Sequence, residues 1–344
     1  MQTIEIKQLQ AGDEARWDCF VEAADGATFF HRTGWKRVIE EAFGHKVYLF
    51  YAEVAGEIQG VLPLGHVKSM LFGNALISMP FCVSGGVVAV SDEVRAALEQ
   101  RAIELARTLE VDSLEIRNES VVQPDWPAKR DLYVSFKKEI DPDVEQNLSN
   151  IPRKQRAVVR KGIKAGLEST WDENVDRLYD AYSQSVHALG TPVFSKRYFQ
   201  VLKQEFGDDC RVLTVTKEGR LIGSVMNFYF RDQVLPYYGG GTPEARAVKG
   251  NDFMYWEVMR HSCEEGVKIF DYGRSKVGTG SYSFKKNWGF EPVPLSYEFV
   301  LIKADEVPDI NPLNPKYKLF INAWKKMPLS LTRLIGPHIV KNLG

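Results

Sequence analysis

Apolar residues recur at helical spacing through Trp35, Val38, Ile39 and Ala42, and the run stops at Gly44. Two apolar stretches follow, divided by Gly56, and predict a β-hairpin with a tight glycine turn. The same pattern returns 163 residues later without a gap, so that residues 28–60 lie over residues 191–223. Thr28 meets Thr191, Trp35 meets Tyr198, Val38 meets Val201, Ile39 meets Leu202 and Phe43 meets Phe206. Gly44, Gly56 and Gly60 meet Gly207, Gly219 and Gly223, and Leu49 and Ile58 meet Val212 and Leu221. Identity is low, yet glycines and apolar spacing coincide, which predicts two copies of one supersecondary unit. Later in each copy a long helix (94–109; 253–265) precedes a short apolar strand (113–117; 268–272). The order helix, hairpin, strand, helix, strand predicts an α/β fold of two tandem mixed-sheet domains.

With 344 residues, 44% hydrophobic and 26% charged, the chain has the length for two domains and the composition for sizeable cores. The expected division is a first domain at 1–145, a basic linker helix at 146–167, a second domain at 168–303 and a basic amphipathic tail at 304–344. Residues 69–91 carry no charge, but Gly73, Asn74, Pro80, Gly85 and Gly86 within them predict buried strands and loops rather than a membrane span. The polar N-terminus reads as a strand, not a signal peptide, and a cytoplasmic protein is expected, with the inner membrane face as an alternative site. Cys19, Cys82, Cys210 and Cys263 have no metal or redox spacing and read as free, buried thiols. The six histidines form no metal-binding pattern, so no metal site is expected.

The net charge of −1 hides a segregation. Residues 151–166 and 311–344 each carry six Lys or Arg and no acid, leaving 32 bases against 45 acids elsewhere. Arg153, Arg156, Arg160 and Lys164 fall at i, i+3, i+7 and i+11 and share one helical face, flanked by Lys154 and Lys161. Such a stripe suits a polyanion (RNA backbone, nucleotide diphosphate or anionic lipid), the plain alternative being a solvated linker helix. The tail mixes Tyr317, Phe320, Trp324, Leu331 and Leu334 with lysines and prolines. It is expected either to lie in a membrane interface or to pack back on the sheet.

The second copy holds the richer chemistry. A strand over 233–238 runs into Gly239, Gly240 and Gly241, and residues 246–251, with Gly250 and Asn251, open the next helix. Backbone N–H groups there could hold an anion or polarise a carbonyl, or the glycines could form a plain turn. The apolar strand ending at Asp271 presents polar groups at its C-terminal end. Asp271 reads as a general base or as a residue that orients Arg274, and Lys285 and Lys286 as phosphate contacts or a solvated helix face.

The helix–hairpin order, the loop at Arg246–Asn251 and the ending Asn287-Trp-Gly-Phe290 are similar to GNAT-type N-acetyltransferases. Across residues 25–300 the chain resembles the FemAB-like peptidyltransferases, whose members carry two GNAT-type domains. The markers are Phe30-His-Arg-Thr-Gly-Trp35, the 152–166 helix, Arg211, Tyr238-Gly-Gly-Gly, Asp271-Tyr-Gly and Phe284-Lys-Lys. Leu189-Gly-Thr-Pro-Val-Phe-Ser195 and the ending from Asn314-Pro-Lys to Gly336-Pro-His-Ile-Val resemble the branch associated with exosortase (PEP-CTERM) systems and exopolysaccharide genes.

The resemblance implies two GNAT-like domains and transfer of an amino acid from aminoacyl-tRNA to an amine of a cell-wall (peptidoglycan) or exopolysaccharide precursor. It implies no tightly bound cofactor and an acceptor that is a nucleotide- or lipid-linked saccharide or peptide. Arg211 would contact acceptor phosphates and Tyr238 would line the same pocket. Asp271 and Tyr238 are the catalytic candidates; Lys36, Arg117, Arg211, Arg274, Lys285, Gly239, Gly240, Gly250 and Asn251 are the substrate-binding candidates. Arg153, Arg156, Arg160 and Lys164 are the RNA or phosphate candidates. Two alternatives stand beside this reading: an acyl-CoA- or acyl-carrier-protein-dependent N-acyltransferase, and a non-catalytic protein that binds anionic glycolipid at a membrane through its tail.

Overall fold

The computed structural model describes residues 3–69, 72–308 and 315–344, without the side chains of 315–319. The chain forms two compact units, each discontinuous in sequence. The first gathers Met1–Tyr133, Pro294–Ile310 and Lys341–Gly344; the second gathers Val134–Val293 and Asn311–Val340.

In the first unit the sheet runs in the order Glu5–Gln8, Lys46–Val54, Glu57–Ser69, Gly73–Ile77, Ser113–Asn118, Ser296–Leu301, Ala128–Lys129. All neighbours are antiparallel except Gly73–Ile77 with Ser113–Asn118, which the helix Asp92–Thr108 joins as a parallel crossover. That helix packs its apolar side, Leu98 and Ala102, on Phe50, Leu62 and Leu64. Helices Glu14–Ala23 and Gly34–Phe43 also pack on the sheet and bury Trp17, Trp35 and Val38 completely.

The second unit repeats this arrangement: Glu168–Asp172, Cys210–Lys217, Arg220–Phe230, Gln233–Gly241, Ile269–Asp271, Lys137–Glu139. The parallel pair is again the fourth and fifth strand, joined by the helix Gly250–Glu264. The 163-residue offset survives to fine detail. Each hairpin has its register shift at the matching place, Ala52/Glu53 and Val215/Thr216. Each turn has positive φ at two successive residues, Ala55–Gly56 (52° and 87°) and Glu218–Gly219 (50° and 75°). This left-handed geometry matches the twist of the strands it joins and favours glycine at the second position. At Gly60 a Cβ would lie 2.7 Å from Val94, so this glycine lets the crossover helix lie close on its sheet, whereas at Gly223 the tight neighbour is the Gly240 carbonyl of the adjacent strand at 3.2 Å.

The sixth strand differs in origin. In both units it is antiparallel to the fifth, but the first unit takes it from Ser296–Leu301 and the second from Lys137–Glu139. The expected contiguous ranges 1–145 and 168–303 therefore cut across the observed units, because the place beside the fifth strand is filled by whichever segment completes its hydrogen bonds. Of the tail, the helices Pro315–Lys326 and Leu329–Val340 pack on the second unit's helix Asp176–Leu189, and Trp324 is 1% exposed. No helix among the described residues is long and apolar enough to cross a membrane.

Candidate functional site

The site grows from a divergence in the second sheet. Strand 233–241 pairs along its length with strand 220–230, but it meets strand 269–271 only at Gln233↔Ile269 and Val234↔Phe270. Two features produce the split. Tyr237 is an extra residue opposite Met226/Asn227, and such a bulge bends a strand and reverses its side-chain alternation. On the other side Gly273, at φ +66°, turns the chain away after Asp271.

Asp271 is 7% exposed and fixes this turn: its carboxylate accepts the Gly273 N–H at 2.7 Å, with Lys137 Nζ at 3.6 Å. Lys285 comes in from the helix Gly280–Asn287 and donates to the Gly273 and Arg274 carbonyls, both at 3.0 Å. Burial lowers its pKa to about 7, Asp271 opposing and Arg274 reinforcing the effect. The expected phosphate contact at Lys285 does not match this position, since the amine is buried and directed at backbone oxygens. Of Arg274, the carbonyl takes part in this cluster.

Tyr238 faces away from the helix Gly250–Glu264. Its hydroxyl lies 2.7 Å from that of Tyr198, and its ring meets Tyr182, Phe194 and Phe199 edge-on at 5.4–5.9 Å. The triple glycine is a packing device. A Cβ on Gly240 would lie 2.7 Å from Ser185 and 2.9 Å from the Ala181 carbonyl, and one on Gly241 2.4 Å from Asn251. A Cβ on Gly250 would lie 2.3 Å from Ile222. The expected open cradle at Gly239, Gly240, Gly250 and Asn251 is thus largely filled by the protein's own atoms. Gly239 faces Tyr255, whose hydroxyl would be 3.4 Å from its Cβ. Tyr255 then meets Tyr272 at 5.1 Å and Phe284 at 5.6 Å, and Tyr272 meets Trp288 at 5.8 Å. Burial pushes the Tyr255 hydroxyl up to about 12 and Tyr272 well above its ordinary value, so both stay neutral phenols.

The basic stripe belongs to the helix Arg153–Lys164. Its inner side, with Val159 and Gly162 buried, lies on the first turn of the helix Gly250–Glu264. Gly162 makes this approach: a Cβ there would stand 2.9 Å from Phe253 Cβ and 3.2 Å from the Lys249 carbonyl. Gln155 adds a hydrogen bond to Asp252. The outer side carries Arg153, Arg156, Arg160, Lys161 and Lys164, which with Ala157 line a surface groove of about 310 Å³. Among the described residues none of these five cations forms an ion pair; Arg156 donates to the Ser149 carbonyl at 2.6 Å.

The remaining candidates lie elsewhere. Arg211 makes a two-pronged contact with Glu265, 2.8 Å to each oxygen, and stacks 4.0 Å over Tyr229. Glu265 caps the helix that Gly250 begins, so at 1.5 Å per residue Arg211 is about 20 Å from Gly250. In the first unit Lys36 is half-buried and pairs with Glu40, whereas Arg117 is 4% exposed. Arg117 donates to Glu115, to the Cys82 carbonyl and to the Gly344 carbonyl at 2.8–2.9 Å, so the expected substrate-facing arginine is bound up inside its own unit. Sequence reasoning missed Tyr255, Tyr272 and Trp288, whose apolar spacing marks them only as core. Among the described residues no group of three His, Cys, Asp or Glu side chains could hold a metal ion.

Comparison with known proteins bears on the fold. The family model for the acetyltransferase (GNAT) domain matches residues 150–286. A search of curated proteins gives no match. Among solved structures, FemX superposes with a TM-score of 0.70 at 15% identity, covering 92% of this chain and 100% of its own. The C-terminal domain (DUF2156) of a putative lysylphosphatidylglycerol synthetase from Agrobacterium fabrum gives 0.55 at 14% identity, covering 84% and 92%. A tandem GNAT protein from the clavulanic acid biosynthesis pathway gives 0.54 at 16% identity, covering 88% and 100%. The chain is therefore an α/β protein of tandem GNAT-type fold, and residues 150–286, within its second repeat, match the acetyltransferase (GNAT) domain.

Proposed function

We propose that the protein transfers an aminoacyl group from aminoacyl-tRNA to an amine on a nucleotide- or lipid-linked saccharide or peptide precursor. The carrying observation is the unneutralised stripe Arg153, Arg156, Arg160, Lys161, Lys164 lying on the first turn of the helix Gly250–Glu264. Like charges kept on one face without carboxylate partners repel one another, and a phosphate backbone relieves that cost. The cell-wall character of the acceptor rests on the FemAB-like resemblance across residues 25–300, and its exopolysaccharide character on that of residues 189–195 and 314–340.

In this reading the acceptor nitrogen bonds to the ester carbonyl carbon, the ester C–O bond breaks, and the departing ribose oxygen receives the proton that the amine loses. Asp271 is the carboxylate proposed to relay that proton, held in place by the Gly273 N–H. Tyr238 is proposed to act as a wall that holds the bulged strand.

The test is tRNA binding followed across salt concentration. Replacing Arg153 and Arg156 together by Glu is expected to weaken binding and to lower the slope of log K against log salt by about 2. Unchanged affinity and slope would remove the RNA donor. Heat on titration with acyl-CoA would favour the coenzyme instead.

A further inference from the structure

The helices Pro315–Lys326 and Leu329–Val340 are fastened to the second unit by specific contacts. Trp324, Thr332, Gly336 and Val340 are buried, and Gly336 fits against Val193, where a Cβ would be 2.9 Å from its backbone nitrogen. His187 Nε2 lies 2.9 Å from the Met327 carbonyl, and Arg333 donates to Asp180 and Ser183 at 2.7–2.9 Å. With the inner side so occupied, the opposite side of an ordinary surface helix would be polar. Here it carries Leu331 and Leu334, three residues apart and 39% and 69% exposed. Leu189, 67% exposed, ends the helix on which both pack, next to Gly190, which lies against Ile321 and Lys325. Phe320 adds a ring that is 41% exposed.

We infer that this face is a docking surface for an anionic phospholipid membrane, through which the protein rests on the bilayer without crossing it. Charge selects this occupant. Lys325 and Lys326 are exposed, Lys325 lying against Gly190 next to Leu189, and among the described residues neither is in an ion pair. Residues 311–344 contain no acid, and the nearby Asp176 and Asp180 are already paired with Lys196 and Arg333. A second copy of the chain would use the same patch on both partners and bring these cations face to face without carboxylates to offset them. A bilayer rich in anionic headgroups takes both features at once, leucines below the headgroups and lysines among them.

The experiment is co-sedimentation of the full chain with vesicles of phosphatidylglycerol and phosphatidylcholine, against pure phosphatidylcholine, at low and high salt. Wild type is expected to bind the anionic vesicles and to be released by salt. Leu331→Glu with Leu334→Glu is expected to lower partitioning at least tenfold, and Lys325→Gln with Lys326→Gln roughly fivefold per lysine. Circular dichroism and the emission of buried Trp324 check that the variants fold. Should the glutamate variant misfold, Leu334→Trp replaces it, with a blue shift expected on anionic vesicles. Absence of wild-type binding, equal binding to neutral vesicles, or binding indifferent to the leucine changes overturns the inference. A dimer in sedimentation equilibrium that the glutamate variant dissolves, without vesicle binding, assigns the face to a second copy instead.

Discussion

Replacing Lys285 by Met removes an amine that the fold holds in an unfavourable charge state. In the folded chain burial brings this lysine to about 7, against an ordinary 10.5. Between these values the unfolded chain carries a proton that the folded chain does not, so unfolding takes up a proton. Raising the pH therefore stabilises the wild type relative to a variant without the amine. The cost is fully present below about pH 7 and is relieved as the pH rises towards 10.5. At 1.36 kcal/mol per pH unit the whole window amounts to roughly 3–5 kcal/mol. Urea unfolding at pH 7.5 and 9.5 samples two pH units of it. The difference in unfolding free energy, wild type minus Lys285→Met, is expected to rise by about 2.7 kcal/mol between the two. Other lysines and tyrosines titrate in both proteins and cancel in the difference. If the units unfold in separate steps, the step carrying the second unit is compared. Methionine also leaves the Gly273 and Arg274 carbonyls without their donor, a cost of about 1 kcal/mol each that shifts the variant at all pH values and leaves the slope alone. A difference that stays flat within about 0.5 kcal/mol would show the amine to be charged when folded, and the reasoning from burial would fail.

Gly240→Ala drives a methyl group to within 2.9 Å of the Ala181 carbonyl and Tyr182 Cα, backbone atoms that cannot swing aside. A loss of about 1–3 kcal/mol is expected in thermal or urea unfolding, whereas Gly280→Ala, with nothing within 4 Å, is expected to be neutral or mildly stabilising. Thiol titration of the native protein is expected to give one fast-reacting cysteine, Cys19, with Cys82, Cys210 and Cys263 reacting only on unfolding. Two fast thiols would contradict the packing around one of the buried three.

The thiols illustrate where sequence reasoning stops. Spacing suggested four free, buried thiols; three are buried but Cys19 is exposed, because the helix Glu14–Ala23 turns Trp17 and Val21 inward. The basic stripe was more legible. Arg153, Arg156, Arg160 and Lys164 share a face because the helix Arg153–Lys164 repeats every 3.6 residues, and that period is written in the chain.

Local rules thus determined a great deal. The 163-residue repeat, the hairpin turns at Gly56 and Gly219, the crossover helices and the α/β class follow from apolar spacing and glycine placement, which act between near neighbours in sequence. Only tertiary structure decided the rest. The three residues Lys137–Glu139 carry too little pattern to announce a strand, and Ser296–Leu301 gives no sign that it completes the first sheet. Sheet neighbours are chosen by hydrogen bonds between segments far apart in the chain. Arg211, Arg117 and Lys285 look alike in sequence, yet one is paired at a helix end, one is buried under its own unit's carbonyls, and one is driven towards neutrality. A side chain's chemistry is set by what surrounds it, and here those surroundings include residues up to 227 positions away.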